Sequence, residues 1–156
     1  MNAASTFTML DRHSASAQPF INSDWSCQRL TDFLMGAIVK LLLDKGADVN
    51  GQGEYYGNAL QAAARYGNKT IVSLLLDKGA NVNAQGGCSG NALQAAARYG
   101  HKTVVKLLLD KGADVNAEGG KYGNALSAAT QCGQDAIVQL LLNHGAIDPD
   151  VLGETL

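Results

Sequence analysis

The hydrophobic positions of this chain recur in one pattern at intervals of 33 residues. A Leu-Leu-Leu triplet begins at residues 41, 74, 107 and 140, and a Gly-Asn-Ala-Leu motif begins at residues 57, 90 and 123. Residues 58–90 and 91–123 differ at only seven aligned positions. Self-similarity at a fixed period of this length is the signature of a repeat architecture. The chain is therefore predicted to fold as a row of similar units.

The start of each unit carries helix-capping residues. Asn58 is a favourable N-cap, and Gln61 three residues later completes an Asn-x-x-Gln capping box, which Asn91 and Gln94 repeat. The apolar and polar order then predicts a first helix over residues 59–66. The glycine that follows this helix suits the left-handed conformation common after a helix end.

A second helix is predicted from about residue 68 to residue 77, and Gly79 ends it. Residues 81–87 have the composition of an extended turn. The apolar face of this helix consists of Ile71, Val72, Leu74 and Leu75. Small residues at 62–64 let the two helices of a pair approach closely. One pair cannot bury both of its faces, so the units must stack on one another.

The second half of the unit carries a family resemblance. Residues 100–117 read Gly-His-Lys-Thr-Val-Val-Lys-Leu-Leu-Leu-Asp-Lys-Gly-Ala-Asp-Val-Asn-Ala, which resembles the ankyrin repeat motif almost position for position. The resemblance covers about residues 36–146 and implies an all-α fold, an ankyrin-repeat α-solenoid of helix-turn-helix units with finger loops. It also implies a protein-protein interaction module without catalytic activity.

The sequence departs from the family motif at the start of each first helix. The family's Thr-Pro-Leu-His is replaced by Asn-Ala-Leu-Gln at residues 58 and 91 and by Asn-Ala-Leu-Ser at residue 124. This variant is similar to ankyrin arrays of fungal multidomain proteins, including those with NACHT-type nucleotide-binding domains. No such domain is present in this sequence.

The repeat divides the chain into six predicted segments. They are a non-repeat, partly disordered arm (1–33), a half repeat (34–50), two full repeats (51–83 and 84–116), a terminal repeat (117–149) and a tail (150–156). A processed targeting peptide is an alternative for the arm, which Asp11 and Asp24 disfavour.

The junction between the arm and the first helix has helical spacing, at Leu30, Phe33, Leu34 and Ile38. We hypothesise that this stretch extends or covers the helix predicted over residues 35–43, in place of the missing first helix of that unit. Trp25 is expected to help cover this end of the array.

The last unit drifts from the others. Gln131-Cys132 replaces an Arg-Tyr pair, and Pro149 disfavours another regular finger. Three interpretations stay open. Residues 151–152 fold back over this end, the end is uncapped and supports weak self-association, or the chain is a fragment of a longer array.

Composition and charge exclude several classes of function. The formal charge of −2 gives no long-range basic field, which disfavours binding to nucleic acid or to an anionic membrane. No apolar run approaches the 18 or so residues of a membrane span. The three cysteines lack metal-ligand spacing and favour a reducing compartment, so we expect an intracellular, cytoplasmic protein.

The residues that could carry chemistry are scattered. Gly-Asn-Lys-Thr at residues 67–70 and Gly-His-Lys-Thr at 100–103 lack the residue order and the strand-to-helix context of a phosphate loop. The three histidines, His13, His101 and His144, have no recurring carboxylate partner nearby. We therefore expect no enzyme activity, no catalytic residue, no metal and no cofactor.

The positions that vary between units point to a partner. Structural positions must be the same in every unit, whereas positions free of packing can differ. The varying triplets are residues 54–56, 87–89 and 120–122, at the predicted finger tips, and the family resemblance adds the outer side of the first helix. The candidate partner-binding residues are Glu54, Tyr55, Tyr56, Arg65, Tyr66, Cys88, Ser89, Arg98, Tyr99, Lys121, Tyr122 and Gln131.

Eight of these residues form what we call the Arg–Tyr strip: Tyr55, Tyr56, Arg65, Tyr66, Arg98, Tyr99, Lys121 and Tyr122. Tyrosine and arginine are favoured anchors at interfaces, so a mildly basic, aromatic-lined concave strip fits a protein partner. An alternative is that the repeated Arg-Tyr pair only stacks one unit on the next while the finger tips drift neutrally. A different function is also open, that of a sensing or assembly-control fragment of a larger NTPase-linked receptor.

Overall fold

A computed structural model of the chain describes residues 27–148, with side chains from residue 33 onward. The predictions for Trp25, for the arm up to residue 26 and for the tail lie outside these residues. Within the described part the backbone forms seven helices: α1 (Cys27–Asp44), α2 (Ala59–Arg65), α3 (Lys69–Asp77), α4 (Ala92–Arg98), α5 (Lys102–Asp110), α6 (Ala125–Gln131) and α7 (Asp135–Asn143).

The helices are arranged in two rows. The first helices α2, α4 and α6 pack against one another in sequence, and the second helices α1, α3, α5 and α7 form the row behind them. Each first helix also packs against the second helix that follows it. Apart from isolated single-residue bridges in the connecting turns, the described residues contain no β-structure. The predicted all-α solenoid is confirmed.

The predicted helix caps are present, with one exception. At the start of α2, the Asn58 side chain accepts from Gln61 N at 2.9 Å and Asn58 N donates to Gln61 Oε1 at 3.0 Å, which completes the capping box. At the start of α4, Asn91 accepts from Gln94 N at 2.8 Å, but Gln94 Oε1 is buried and accepts no hydrogen bond from the described residues. The predicted box at Asn91 and Gln94 is therefore only half formed.

The helix ends differ from prediction by one residue. Helix α2 ends at Arg65 with Tyr66 as its C-cap, and helix α3 begins at Lys69 with Asn68 as its N-cap. The glycine between the two caps has φ +71°, the left-handed conformation that the sequence predicts.

The core lies between the two rows. Leu60 and Ala64 of α2 and Val72 and Leu75 of α3 are almost completely buried. The rest of the predicted apolar face of α3 is half-buried and packs against this core through Ile71. Small alanines on the first helices leave room for the larger side chains of the second helices, which raises packing density across each pair.

The N-terminal junction extends the first predicted helix and does not cover it. Residues 27–44 form one continuous helix, α1, so Phe33 and Leu34 belong to the helix that they were expected to cover. Phe33 is 69% exposed, and Ile38 is exposed on the same helix. The covering hypothesis is therefore wrong for these side chains, because residues 27–148 contain no first helix that precedes α1.

The effect of a covering first helix is clearest at one repeat position. Leu108 in α5 is 0% exposed, whereas its equivalent Leu42 in α1 is 55% exposed. The two leucines share their sequence context and differ in whether a first helix covers them. Burial in this fold is thus a property of neighbouring helices and not of a single helix.

A row of asparagines joins consecutive units at the turn after each second helix. Each amide Nδ2 donates to the carbonyl of a glycine 29 residues later, and each Oδ1 accepts from the backbone N–H two residues beyond that glycine. The distances are 3.1–3.3 Å for the first bond and 2.8–2.9 Å for the second. The three sets are Asn50 with Gly79 and Asn81, Asn83 with Gly112 and Asp114, and Asn116 with Gly145 and Ile147.

Exposed ion pairs also join consecutive units. Lys78 pairs with Asp44 at 2.6 Å and Lys111 pairs with Asp77 at 3.2 Å, each across adjacent second helices. The hydrogen bond from Lys78 lowers the pKa of Asp44. Because these pairs are solvent-exposed, they add little to stability.

Replacing Leu108 by alanine should lower the free energy of unfolding by about 2–5 kcal/mol, because the leucine is fully buried between rows. The matched control is Leu42→Ala, at the same repeat position but exposed, which should cost less than about 1 kcal/mol. Urea denaturation followed by circular dichroism measures both. Equal losses from the two substitutions would contradict the assigned packing.

Replacing Asn83 by alanine should cost about 1 kcal/mol, because two inter-unit hydrogen bonds are lost at an exposed site. The control is Asn81→Asp, since aspartate stands at the equivalent positions 48 and 114 and accepts the same local bond there. That variant should match the parent in urea denaturation. A parent-like midpoint for Asn83→Ala would show that the asparagine row does not couple the units.

Candidate functional site

Each connection into a first helix is a finger, a tight turn closed by a bridge between two glycines. The bridges join Gly53 with Gly57, Gly86 with Gly90 and Gly119 with Gly123. The backbone N–H of the earlier glycine donates to the carbonyl of the later one, at 2.7 Å in the second finger. This closure puts the predicted triplets 54–56, 87–89 and 120–122 at the tips of the fingers.

Adjacent fingers touch through their backbones. Cys88 N donates to Tyr55 O at 3.1 Å. Gly87, at φ +61°, lies so close to the preceding finger that a Cβ would come within 2.5 Å of Gly57 N, and Gly120 would meet Ser89 at 2.6 Å. Only glycine fits both the space and the left-handed backbone at this position.

Glu54 occupies the same repeat position in the first described finger. No finger precedes it within residues 27–148, and its φ is not positive. The difference between Glu54 and Gly87 thus follows from finger-to-finger packing, although the sequence pattern suggested a partner. Glu54 itself is exposed at the finger tip.

Arg65, near the end of α2, is surrounded by tyrosine rings. Its Cζ lies 4.5 Å from the ring centroid of Tyr99 on the next unit, 5.4 Å from Tyr56 and 5.9 Å from Tyr55. These distances are within the range of cation–π attraction. The arginine therefore links its own finger to the end of the following first helix.

The same arrangement continues along the array. Arg98 Cζ lies 4.9 Å from the Tyr99 centroid and 5.0 Å from the Tyr122 centroid, and Lys121 Nζ lies 5.5 Å from Tyr122. Cations and rings alternate from Tyr55 to Lys121. Seven of the eight residues of the Arg–Tyr strip, all except Tyr66, are thus joined by these cation–π contacts, which run from the first finger to the third through the ends of α2 and α4.

Tyr66 joins the strip through a different contact. Its hydroxyl lies 3.0 Å from the hydroxyl of Tyr56, and this hydrogen bond raises the pKa of Tyr56. Tyr56 in turn packs edge-to-face on Tyr55, with centroids 4.8 Å apart. Tyr66 is 66% exposed and Tyr55 is 59% exposed, so these rings stay open to solvent at the N-terminal end of the strip.

The other candidate residues lie beside the strip. Cys88 is half-buried, with its sulfur 3.8 Å from Arg65 Nη1, and Ser89 Oγ lies 3.9 Å from that sulfur. Gln131 is exposed at the end of α6, where the preceding units have arginine. Within the described residues the cation–π contacts end at Tyr122.

The repeat array described above matches models of a known protein family. A model described as ankyrin repeats (3 copies) matches residues 85–152, and one described as ankyrin repeats (many copies) matches residues 60–109. The chain belongs to the ankyrin repeat family. A search of curated proteins finds no match. Ankyrin repeats are generally protein-protein interaction modules and typically are not enzymes.

Two further observations bear on other kinds of site in this ankyrin protein. No three histidine, cysteine or acidic side chains of residues 33–148 come together in a way that could hold a metal ion. None of the helices described here combines the length and apolar character needed to cross a membrane.

Sequence reasoning missed two residues that hold the strip in place. His101, at the start of α5, has its Nε2 at 2.9 Å from Arg65 O and lies against Gly67, where a Cβ would clash with the imidazole. Gln61 Nε2 donates to Ala84 O and Gly90 O of the next finger at 2.8 and 3.1 Å. Both contacts fix α2 relative to the following ankyrin unit.

The sequence carried one signal for the glutamine contact. Gln94 repeats it, with its Nε2 donating to Ala117 O at 3.0 Å and Gly123 O at 3.1 Å. The third first helix has the shorter Ser127 at this position, and no finger follows it within the described residues. The glutamine is thus present where there is a finger to bind and absent where the described ankyrin array has none.

Replacing Tyr99 by alanine should lower the free energy of unfolding by about 1–2 kcal/mol, because the ring contacts two arginines from adjacent units. Tyr66→Ala is the matched control at the equivalent repeat position, and its effect should be within about 0.5 kcal/mol of zero. Thermal and urea denaturation measure both variants. A loss at Tyr66 as large as that at Tyr99 would show that exposed tyrosines also hold the stack.

Proposed function

We propose that this ankyrin array binds a protein partner through the Arg–Tyr strip, with the finger tips at its rim. The observation that carries the proposal is the continuous alternation of cations and tyrosine rings from the first finger to the third. Arginine and tyrosine supply much of the binding energy at known interfaces. Their side chains are already fixed in this strip, so less conformational entropy is lost when a partner binds.

The contacts within the strip leave part of its surface exposed to solvent. Tyr99 serves to stack adjacent units, as the alternative interpretation of the repeated Arg-Tyr pair holds. Tyr55 and Tyr66 remain largely exposed at one end, however, so their rings are free to contact a partner. Stacking between units and binding of a partner therefore use the same surface.

The packing of the two rows supports a concave surface on this side. The first helices pack against one another more extensively than the second helices do, and their alanine faces permit this close packing. A stack that is tighter on one side curves toward that side. The strip crosses the proposed units 51–83, 84–116 and 117–149, and Glu54, Cys88, Ser89 and Gln131 form its proposed border.

The experiment is affinity capture with a matched pair of double variants. Tyr55→Ala with Tyr66→Ala removes two exposed rings of the strip, and partner recovery should fall roughly tenfold or more. Phe33→Ala with Leu41→Ala removes exposed apolar surface from α1, away from the strip, and recovery should match the parent. Circular dichroism confirms that both variants keep their helical content.

Two outcomes contradict the proposal. Equal recovery by the strip variant and the parent would show that the strip does not contact the partner. A loss confined to the α1 variant would move the binding surface to the exposed end of the array.

A further inference from the structure

The cations of the strip have no anionic partner among the described residues. The ion pairs found there, Lys78 with Asp44 and Lys111 with Asp77, both lie on the row of second helices. Arg65, Arg98 and Lys121 have no carboxylate oxygen of residues 33–148 within 4 Å. Both guanidinium groups are nevertheless held against tyrosine rings, and both arginines are partly exposed residues. Fixed cations without counter-charges are a site that an anionic group can complete.

The spacing of the two arginines suits a row of acidic side chains. Both Cζ atoms lie within 5 Å of the Tyr99 centroid, so they are less than about 10 Å apart. Side chains two residues apart in an extended chain project to the same side at about 6.5–7 Å. A guanidinium presents its N–H donors along its edge and pairs with a carboxylate in a two-pronged geometry.

We propose that the Arg–Tyr strip recognises an acidic segment of its protein partner, in extended conformation, with Asp or Glu side chains at alternate positions pairing with Arg65 and Arg98. Lys121 supplies a third positive charge at the C-terminal end. This inference rests on the proposed function and names the chemistry of the partner. Charge complementarity commits the surface to this occupant, because the three strip cations form no ion pair with a carboxylate of residues 33–148.

Around the two arginines, the faces of Tyr99 and Tyr122 argue against a nucleic acid as the occupant. Base recognition by such surfaces needs tyrosine faces on which bases stack. Tyr99 already has Arg65 and Arg98 against its ring, and Tyr122 has Arg98 and Lys121. What these rings leave available is the edges of the guanidinium groups, which bind carboxylates.

The test uses fluorescent peptides and the whole chain. A peptide with glutamate at three alternate positions is compared with the same peptide carrying glutamine, by fluorescence anisotropy at low and moderate salt. The glutamate peptide should bind at least about tenfold more tightly, and added salt should weaken it. Because this comparison needs no protein variant, it tests the proposal even if a substitution disturbs folding.

A matched pair of charge variants locates the site. Arg65→Gln with Arg98→Gln should weaken the glutamate peptide at least about tenfold. Lys69→Gln with Lys106→Gln changes the net charge equally on exposed positions of α3 and α5 and should leave binding unchanged. If the arginine pair unfolds, Lys121→Gln at an exposed finger tip should still weaken binding by a smaller factor.

Several results would overturn the inference. These are equal binding of the glutamate and glutamine peptides, equal loss in both charge variants, tighter binding of the same peptide carrying phosphoserine in place of glutamate, or tighter binding of a single-stranded oligonucleotide. The partner-capture experiment distinguishes failure of this inference from failure of the proposed function. Capture that depends on Tyr55 and Tyr66 but not on the arginines leaves the proposed function standing, and capture that depends on neither pair removes both.

Discussion

Burial of the second helix of each unit by a neighbouring first helix is the contact on which the whole structure depends. The leucine at one repeat position is 55% exposed as Leu42, 1% exposed as Leu75 and 0% exposed as Leu108. Nothing in the local sequence of these leucines explains the difference. What changes is whether a first helix packs against them, so hydrophobic stabilisation in this chain is a property of contacts between helices, as expected for a solenoid.

The polar contacts follow the same rule. Gln61 holds the next finger, Asn83 holds the next turn, and Arg65 packs on a tyrosine of the next unit. The candidate binding surface therefore consists of contacts that also join the units. A strip built in this way is rigid because each arginine is held by rings from two units. Its rigidity and its dependence on correct stacking have one physical origin.

The sequence predicted much of this fold because the repeat reveals which positions matter. Helix pairs, N-caps, glycine stops and the residues of the strip could all be named in advance, since capping and periodicity are local properties. Contacts between units could not. Asn83 and Gln61 were visible as repeated residues, but a repeated residue does not say which neighbour it touches. The exposure of α1 was missed for the same reason, since its helical pattern is intact and the described residues hold no first helix that covers it.

Departures from the repeat therefore have two physical sources, and the structure separates them. Glu54 stands where other fingers have glycine, and Ser127 stands where other first helices have glutamine. Glu54 lies where the described array has no preceding finger, and Ser127 lies where it has no following finger, so packing accounts for both. The change from Cys88 to Lys121 at the finger tips has no such explanation, because Cys88 lies against Arg65 while Lys121 is exposed and lies against its own Tyr122. Variation of this second kind, which adds an exposed cation beside an occupied ring, changes what the strip presents to a partner without changing how the units stack.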